Sequence, residues 1–329
     1  MRVSTYFAAI LVLVTFSSVG FGQDDDPIRV DSSIVRLNVG VVDGRGRQVT
    51  DLTKASFTVY EDDKKQEIVR FEPSTAPFSV VMILDMSGST LGFRQVIRLS
   101  ASRFIDALLP EDRVAVIEFY DKINVLNDFT TDRRKVANSI ALANGRGKTQ
   151  LFKAIDLALD KLSKEKSRRK AIVVLTDGID TAVQNKDRDE LVNLTDAAIP
   201  TAIKPESSEI LRKILSRSDQ QAVTIYPLAL PTGDPAKLAD PTPRQVAMYQ
   251  AGRTRLQMIA DRTGGTLNTI KNLEDMGSIY GRVAAELRTL YTVEYSPTND
   301  KSDGKWRTIR IEVNDPSLLA RTRQGYFAK

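Results

Sequence analysis

The stretch Val80-Val-Met-Ile-Leu-Asp85-Met-Ser-Gly-Ser-Thr90 decides the reading of this chain. Five apolar residues in succession suit a strand buried on both faces, as in a parallel sheet covered by helices. The run stops at a carboxylate, and two hydroxyls, Ser87 and Ser89, follow around Gly88. Hard oxygen donors packed this closely suit a hard divalent cation such as Mg2+. Open α/β sheets hold their ligands at the carboxyl ends of such strands.

The same grammar continues downstream. Phe93 to Leu108 reads as a helix with Val96, Ile97, Phe104, Ile105 and Leu108 on one side, stopped by Pro110. Arg113 to Tyr120 reads as a strand and Ile123 to Phe129 as its edge partner. Thr131-Asp132 caps a helix through Leu142. A glycine-rich loop, Asn144 to Lys148, leads to Thr149, and Leu151, Ile155, Leu159 and Leu162 line the next helix. Ala171 to Leu175 is a second buried strand, ending in Thr176-Asp177-Gly178. Val223 to Leu230 and Gly265 to Ile270 read as further strands, and Leu273 to Leu287 as the last helix. Strands alternating with helices imply an α/β fold with a doubly wound, mostly parallel sheet. Residues 181–220 and 231–245 exceed ordinary loop lengths and read as surface insertions, either recognition loops or padding.

Both flanks change to the period of two. Val35, Leu37, Val39 and Val41 alternate, Asp43-Gly44-Arg45-Gly46 signals a turn, and strands follow around Phe57 to Tyr60 and Ile68 to Phe71. Tyr291, Val293 and Tyr295 alternate likewise, followed by strands around Trp306 to Val313 and Arg321 to Phe327. Neither flank is long enough for a core of its own. The expected organisation is a signal peptide at 1–22, an N-terminal β segment at 29–75, an α/β domain at 78–287 and a C-terminal β segment at 288–329. The two β segments are expected to pack together as one small antiparallel domain.

The signal peptide is read from Arg2, the apolar run Tyr6 to Phe16, and Gly20 and Gly22 placed at −3 and −1 to a cut before Gln23. It implies a secreted, periplasmic or cell-envelope protein, and no other apolar stretch is long enough to span a membrane. The 329 residues include no cysteine and no histidine. That excludes thiolate and imidazole metal sites, a cysteine nucleophile and a Ser-His-Asp triad. The net charge of +5 is scattered, and the denser run Lys161 to Lys170 reads as solvated surface, so no nucleic-acid partner is expected.

Asp85, Ser87, Ser89, Thr149 and Asp177 all fall at the carboxyl edge of one parallel sheet. Two carboxylates and three hydroxyls can hold a divalent ion and leave a position open. Three other patterns carry nothing. Gly147-Lys148-Thr149 lacks the first glycine of a phosphate loop, where Leu142 stands. Ser163 to Lys166 lacks the companion motifs of an acyl enzyme. Asp24 to Asp26 reads as a flexible terminus.

Asp85-Met-Ser87-Gly-Ser89, Thr149 and Thr176-Asp177-Gly178 together resemble the metal ion-dependent adhesion site (MIDAS) of von Willebrand factor type A domains, over roughly Phe78 to Leu287. Ile259 to Gly265 is similar to that family's stretch before its last strand. Tyr291 to Pro297 and Gly325-Tyr326 resemble a bacterial secreted subgroup called VWFA-related. The resemblance implies Ser87, Ser89 and Thr149 as direct ligands of Mg2+, or of Mn2+ or Ca2+. Asp85 and Asp177 would act largely through water. The acidic pair that builds a second ion site in integrin-type domains is absent after Thr90, and that site is not carried over. The implied function is a non-enzymatic, adhesion-type module whose cation captures an exposed Asp or Glu of a protein partner, and whose last helix shifts on binding. A constitutive envelope scaffold with a stabilising metal is the alternative. A metal-dependent hydrolase fits worse, because no general base stands near the ion beyond its own ligands.

Overall fold

A computed structural model describes residues 34–73, 76–165 and 168–328; the expected signal peptide lies outside the described residues. The chain enters as β1 (Val35–Val42), β2 (Phe57–Glu61), β3 (Lys64–Gln66) and β4 (Ile68–Glu72). Asp62 and Asp63 make the β2–β3 turn with φ of 48° and 61°, the paired left-handed geometry that a two-residue hairpin loop needs. There follow β5 (Phe78–Asp85), α1 (Arg94–Asp106), β6 (Arg113–Phe119), β7 (Ile123–Thr130), α2 (Arg133–Leu142), α3 (Leu151–Leu162) and β8 (Arg169–Thr176). Next come α4 (Thr181–Leu191), α5 (Glu209–Gln221), β9 (Val223–Ala229), α6 (Pro243–Thr263), β10 (Asn268–Thr269) and α7 (Met276–Thr289). The chain closes with β11 (Tyr291–Tyr295), β12 (Trp306–Val313), β13 (Leu319–Arg321) and β14 (Gly325–Phe327).

The central sheet runs β10-β9-β8-β5-β6-β7. Every pair is parallel except β6–β7. β5 is buried along its whole length because alternate residues serve opposite layers. Val80, Met82 and Leu84 pack with Ile97 and Phe104 of α1, Ile140 of α2 and Val283 of α7. Val81 and Ile83 pack with Ile155 of α3, Ile214 of α5 and Ile259 of α6. No described helix is long and apolar enough to cross a membrane.

The flanking strands form two antiparallel four-stranded sheets, β13-β1-β11-β4 and β14-β12-β2-β3. Each mixes strands from both ends of the chain, and both contribute to one apolar cluster that includes Leu37, Val59, Tyr291 and Ile309. α7 leads directly into β11, with Leu290 as the single residue between the last helix and the flanking sheets.

Three details depart from the sequence reading. The stretch 231–245 ends in helix, because Thr242 caps α6 by accepting a bond from the Gln245 amide at 3.3 Å and Pro243 takes the first helical position. The strand expected over 265–270 shrinks to Asn268–Thr269. Gly265 is pressed against β9 there, and a Cβ on it would lie 1.9 Å from the Ile225 carbonyl oxygen. The last expected strand, 321–327, divides between two sheets, since β13 pairs with β1 and β14 with β12.

Candidate metal centre

β5 and β8 lie side by side, with Leu84 opposite Leu175. From β5 the chain goes on to β6 on one side, and from β8 to β9 on the other. The crevice at their carboxyl ends is therefore the switch point of the sheet, where loops diverge and leave room for a ligand. Asp85 is the last residue of β5, and Asp177 follows β8 directly.

Asp85 is fully buried. One carboxylate oxygen accepts a bond from the Ser87 amide at 3.0 Å and the other from the Thr176 hydroxyl at 2.9 Å. The Thr90 hydroxyl donates to the Asp85 and Ser87 carbonyls at 2.8 and 3.0 Å, which curls the loop into the 3-10 turn Gly88–Phe93. This leaves the Ser87 and Ser89 hydroxyls 3.1 Å apart. Ser89, which is exposed, donates to Asp177 Oδ2 at 2.7 Å. The Thr232 hydroxyl donates to the same oxygen at 3.2 Å, and Asp177 Oδ1 accepts from the Ile179 amide at 3.0 Å. Asp85, Ser87, Ser89 and Asp177 are thus within one another's reach at a crevice that opens outward at Ser89.

Thr149 lies on a neighbouring loop, and its hydroxyl makes no hydrogen bond to the other four. It is buried. Its amide donates to the Thr181 hydroxyl at 2.9 Å, and its carbonyl accepts from the Thr181 amide at 3.0 Å. Its loop nevertheless touches the first one, because the Gly88 amide donates to the Gly147 carbonyl at 3.0 Å. Arg94 bridges the two loops. Its guanidinium donates to the Met86 carbonyl at 3.1 Å on one side and to the Gly145 carbonyl and the Asn144 side chain on the other. Glu118 accepts from the Asn144 amide at 2.7 Å, and Asp121 from the Lys148 amide at 2.6 Å. Thr176 and Thr232 are two further residues at the site. Thr232 sits three residues past β9, and the return of that loop over the sheet edge, rather than a strand-end position, brings it to Asp177.

Burial, and then the charge of Asp177, push the Asp85 carboxyl up to about 7, against the bonds from Ser87 and Thr176. Among the described residues neither Asp85 nor Asp177 forms an ion pair, and no three carboxylates cluster. Two carboxylates that bury their charge without a basic partner are costly in a low dielectric. The site's own chemistry, all hard oxygen, fits a small divalent cation, with hydroxyls completing the set.

The family pattern of the von Willebrand factor type A domain matches residues 80–179. The structure is similar to the vWF domain of the type V pili tip protein Mfa5 from Porphyromonas gingivalis, with 14% identity and a TM-score of 0.45 over 64% of this chain and 95% of that one. It is similar to a von Willebrand factor type A protein from Catenulispora acidiphila, with 11% identity and a TM-score of 0.48 over 91% and 64%. A third likeness is proximal thread matrix protein 1 of the mussel byssus, solved with a zinc-occupied MIDAS motif, with 15% identity and a TM-score of 0.45 over 67% and 47%. No curated protein matches the chain.

Proposed function

We propose, on the premise that residues 80–179 are a von Willebrand factor type A domain, that this chain binds another protein through a divalent cation. Domains of this family are commonly metal-dependent interaction modules. Asp85, Ser87, Ser89, Thr149 and Asp177 hold the ion, and Mg2+ suits this donor set best. The hydroxyls of Ser87, Ser89 and Thr149 would offer it neutral oxygens, and the two carboxylates would offset its charge. One position stays open for an aspartate or glutamate of the partner, which meets the largest local charge in the crevice. The chain works outside the cytoplasm, in the envelope or beyond it. The observation that carries this reading is the pair of buried carboxylates, neither of which has a cationic partner among the described residues.

Titration calorimetry with MgCl2 tests it. The expected result is uptake at one site, lost in Ser87→Ala. Absence of uptake of Mg2+, Mn2+ and Ca2+ alike overturns the proposal.

Two further outcomes are expected. Arg94→Met unties the Thr149 loop from the Ser87 loop, and loss of such a supporting contact lowers metal affinity about 10–100-fold. The same titration reads it, and an unchanged affinity would show that the loops hold their places without Arg94. The second concerns pH. A carboxyl harder to ionise in the folded state than in the unfolded one makes the folded state bind more protons, so stability falls as pH rises. For Asp85 that loss runs from its ordinary value near 3.8 up to about 7. Metal-free protein is expected to melt lower at about pH 8 than at about pH 5, and Mg2+ to reverse the loss. Asp85→Asn should flatten this slope; a slope equal to that of the parent assigns it to other groups.

A further inference from the structure

A cleft of about 740 Å³ opens beside the candidate metal centre, and Thr149 is part of its wall. The long insertion after β8 builds most of it. α4 forms one side, the start of α3 another, and the turn before α5 closes the far end. The acids deep in this cleft are already engaged. Asp187 takes a two-pronged bond from Arg255, 2.7 Å on each arm, with both side chains buried. Asp180 caps α4 by accepting from the Ala182 and Val183 amides at 3.0 and 3.3 Å, and also accepts from the Phe152 amide at 3.2 Å.

The rim is basic. Lys148, Lys153, Lys186 and Lys204 line the cleft, are exposed, and make no ion pair among the described residues. Two glutamates, Glu190 and Glu209, are the exposed acids of the lining, so unpaired positive charge is in excess. Between the lysines lie Ala182, Val183 and Ile210. Among the described residues no aromatic side chain lines the cleft, so they offer no face on which a nucleic-acid base would stack.

We propose that this cleft holds an extended acidic segment of the protein partner, the residues that flank the carboxylate on the cation. The inference rests on the metal-dependent reading above and adds the chemistry of the partner. Because Thr149 lines the cleft and its loop bonds to the Ser87–Ser89 loop through Gly147 and Gly88, a chain whose carboxylate reaches the ion continues into the cleft. Its further acidic side chains then meet the lysines, and its apolar ones meet Val183 and Ile210. Charges at such a rim select the partner and speed its arrival more than they tighten the complex.

The test compares two labelled peptides, one alternating glutamate with valine and one alternating glutamine with valine, by fluorescence anisotropy in MgCl2. The glutamate peptide is expected to bind and the glutamine peptide to bind far more weakly. The triple variant Lys153→Glu, Lys186→Glu, Lys204→Glu should weaken the glutamate peptide roughly tenfold or more, with a flatter salt dependence. Lys186→Gln alone, the milder change, should weaken it in the same direction. Magnesium calorimetry on the triple variant should match the parent, which separates the cleft from the ion. If the parent takes up no Mg2+ but the lysines still decide peptide affinity, the metal reading falls and the cleft stands. Equal binding of both peptides, no binding of the glutamate peptide, or full binding by the triple variant overturns the proposal.

Discussion

Asp177→Asn is expected to lower Mg2+ affinity about 100-fold while raising the stability of the metal-free protein near neutral pH. The two effects have one cause. The amide keeps an oxygen to accept from the Ile179 amide, and its NH2 can donate to the hydroxyls of Ser89 and Thr232, so the loop after β8 keeps its contacts. What disappears is the negative charge. With a cation present, that charge attracts; without one, it repels the buried Asp85, whose carboxyl it helps to push up. Calorimetry reads the first effect, and thermal melting in chelator at about pH 8 reads the second. A purely structural Asp177 would show the opposite second result, a lower melting temperature in chelator. That outcome would mean the carboxylate is retained for its hydrogen bonds, and the metal-dependent reading would lose its main support.

The legibility of this architecture in the sequence follows from which forces leave a local trace. A strand sandwiched between two helical layers must be apolar on both faces, so β5 and β8 announce themselves, and the acid that ends each run marks the crevice. Thr232 leaves no such trace, because its contact with Asp177 depends on how the loop after β9 returns across the sheet edge. The orientation of the Thr149 hydroxyl is equally a matter of loop packing. α6 is hard to read because one of its buried residues is Arg255, placed inside by its bond to Asp187, and a charge on an apolar face disguises the face. The closing segment reads as one strand but forms two, since Arg323 is buried at the crossing and donates to the Asp219 carbonyl at 2.7 Å. The short β10 has a steric cause. Gly265 must approach the Ile225 carbonyl too closely for any side chain, and pairing starts only beyond it.

Arg169→Met should be the most destabilising of the single changes considered, by about 3–5 kcal/mol. Arg169 opens β8 and is buried at the amino ends of the central strands, opposite the metal crevice. One arm of its guanidinium donates to the carbonyl of Ala76, just before the chain enters β5, and another to that of Leu290, just after it leaves α7. One side chain therefore ties the way into the α/β domain to the way out, where the flanking sheets begin. The group also lies over the Phe78 ring at 4.1 Å. The charge of Asp112, whose carboxylate accepts from the Phe78 amide at 2.8 Å, helps it keep its proton against the burial that lowers its pKa to about 10. Methionine fills similar volume but takes the guanidinium donor from two carbonyls and the nearby positive charge from the buried Asp112, and such orphaned groups cost their full desolvation. Lysine is not expected to rescue the change, because a single ammonium cannot span two carbonyls as a planar fork does. Thermal melting should fall by roughly 10 °C. Magnesium affinity of the folded fraction should stay at the parent value, since the whole length of β8 separates Arg169 from Asp177. If the affinity falls as well, the two ends of the sheet are coupled. The junction of α7 with β11, which Arg169 holds through Leu290, is then the segment through which binding at the crevice reaches the flanking sheets.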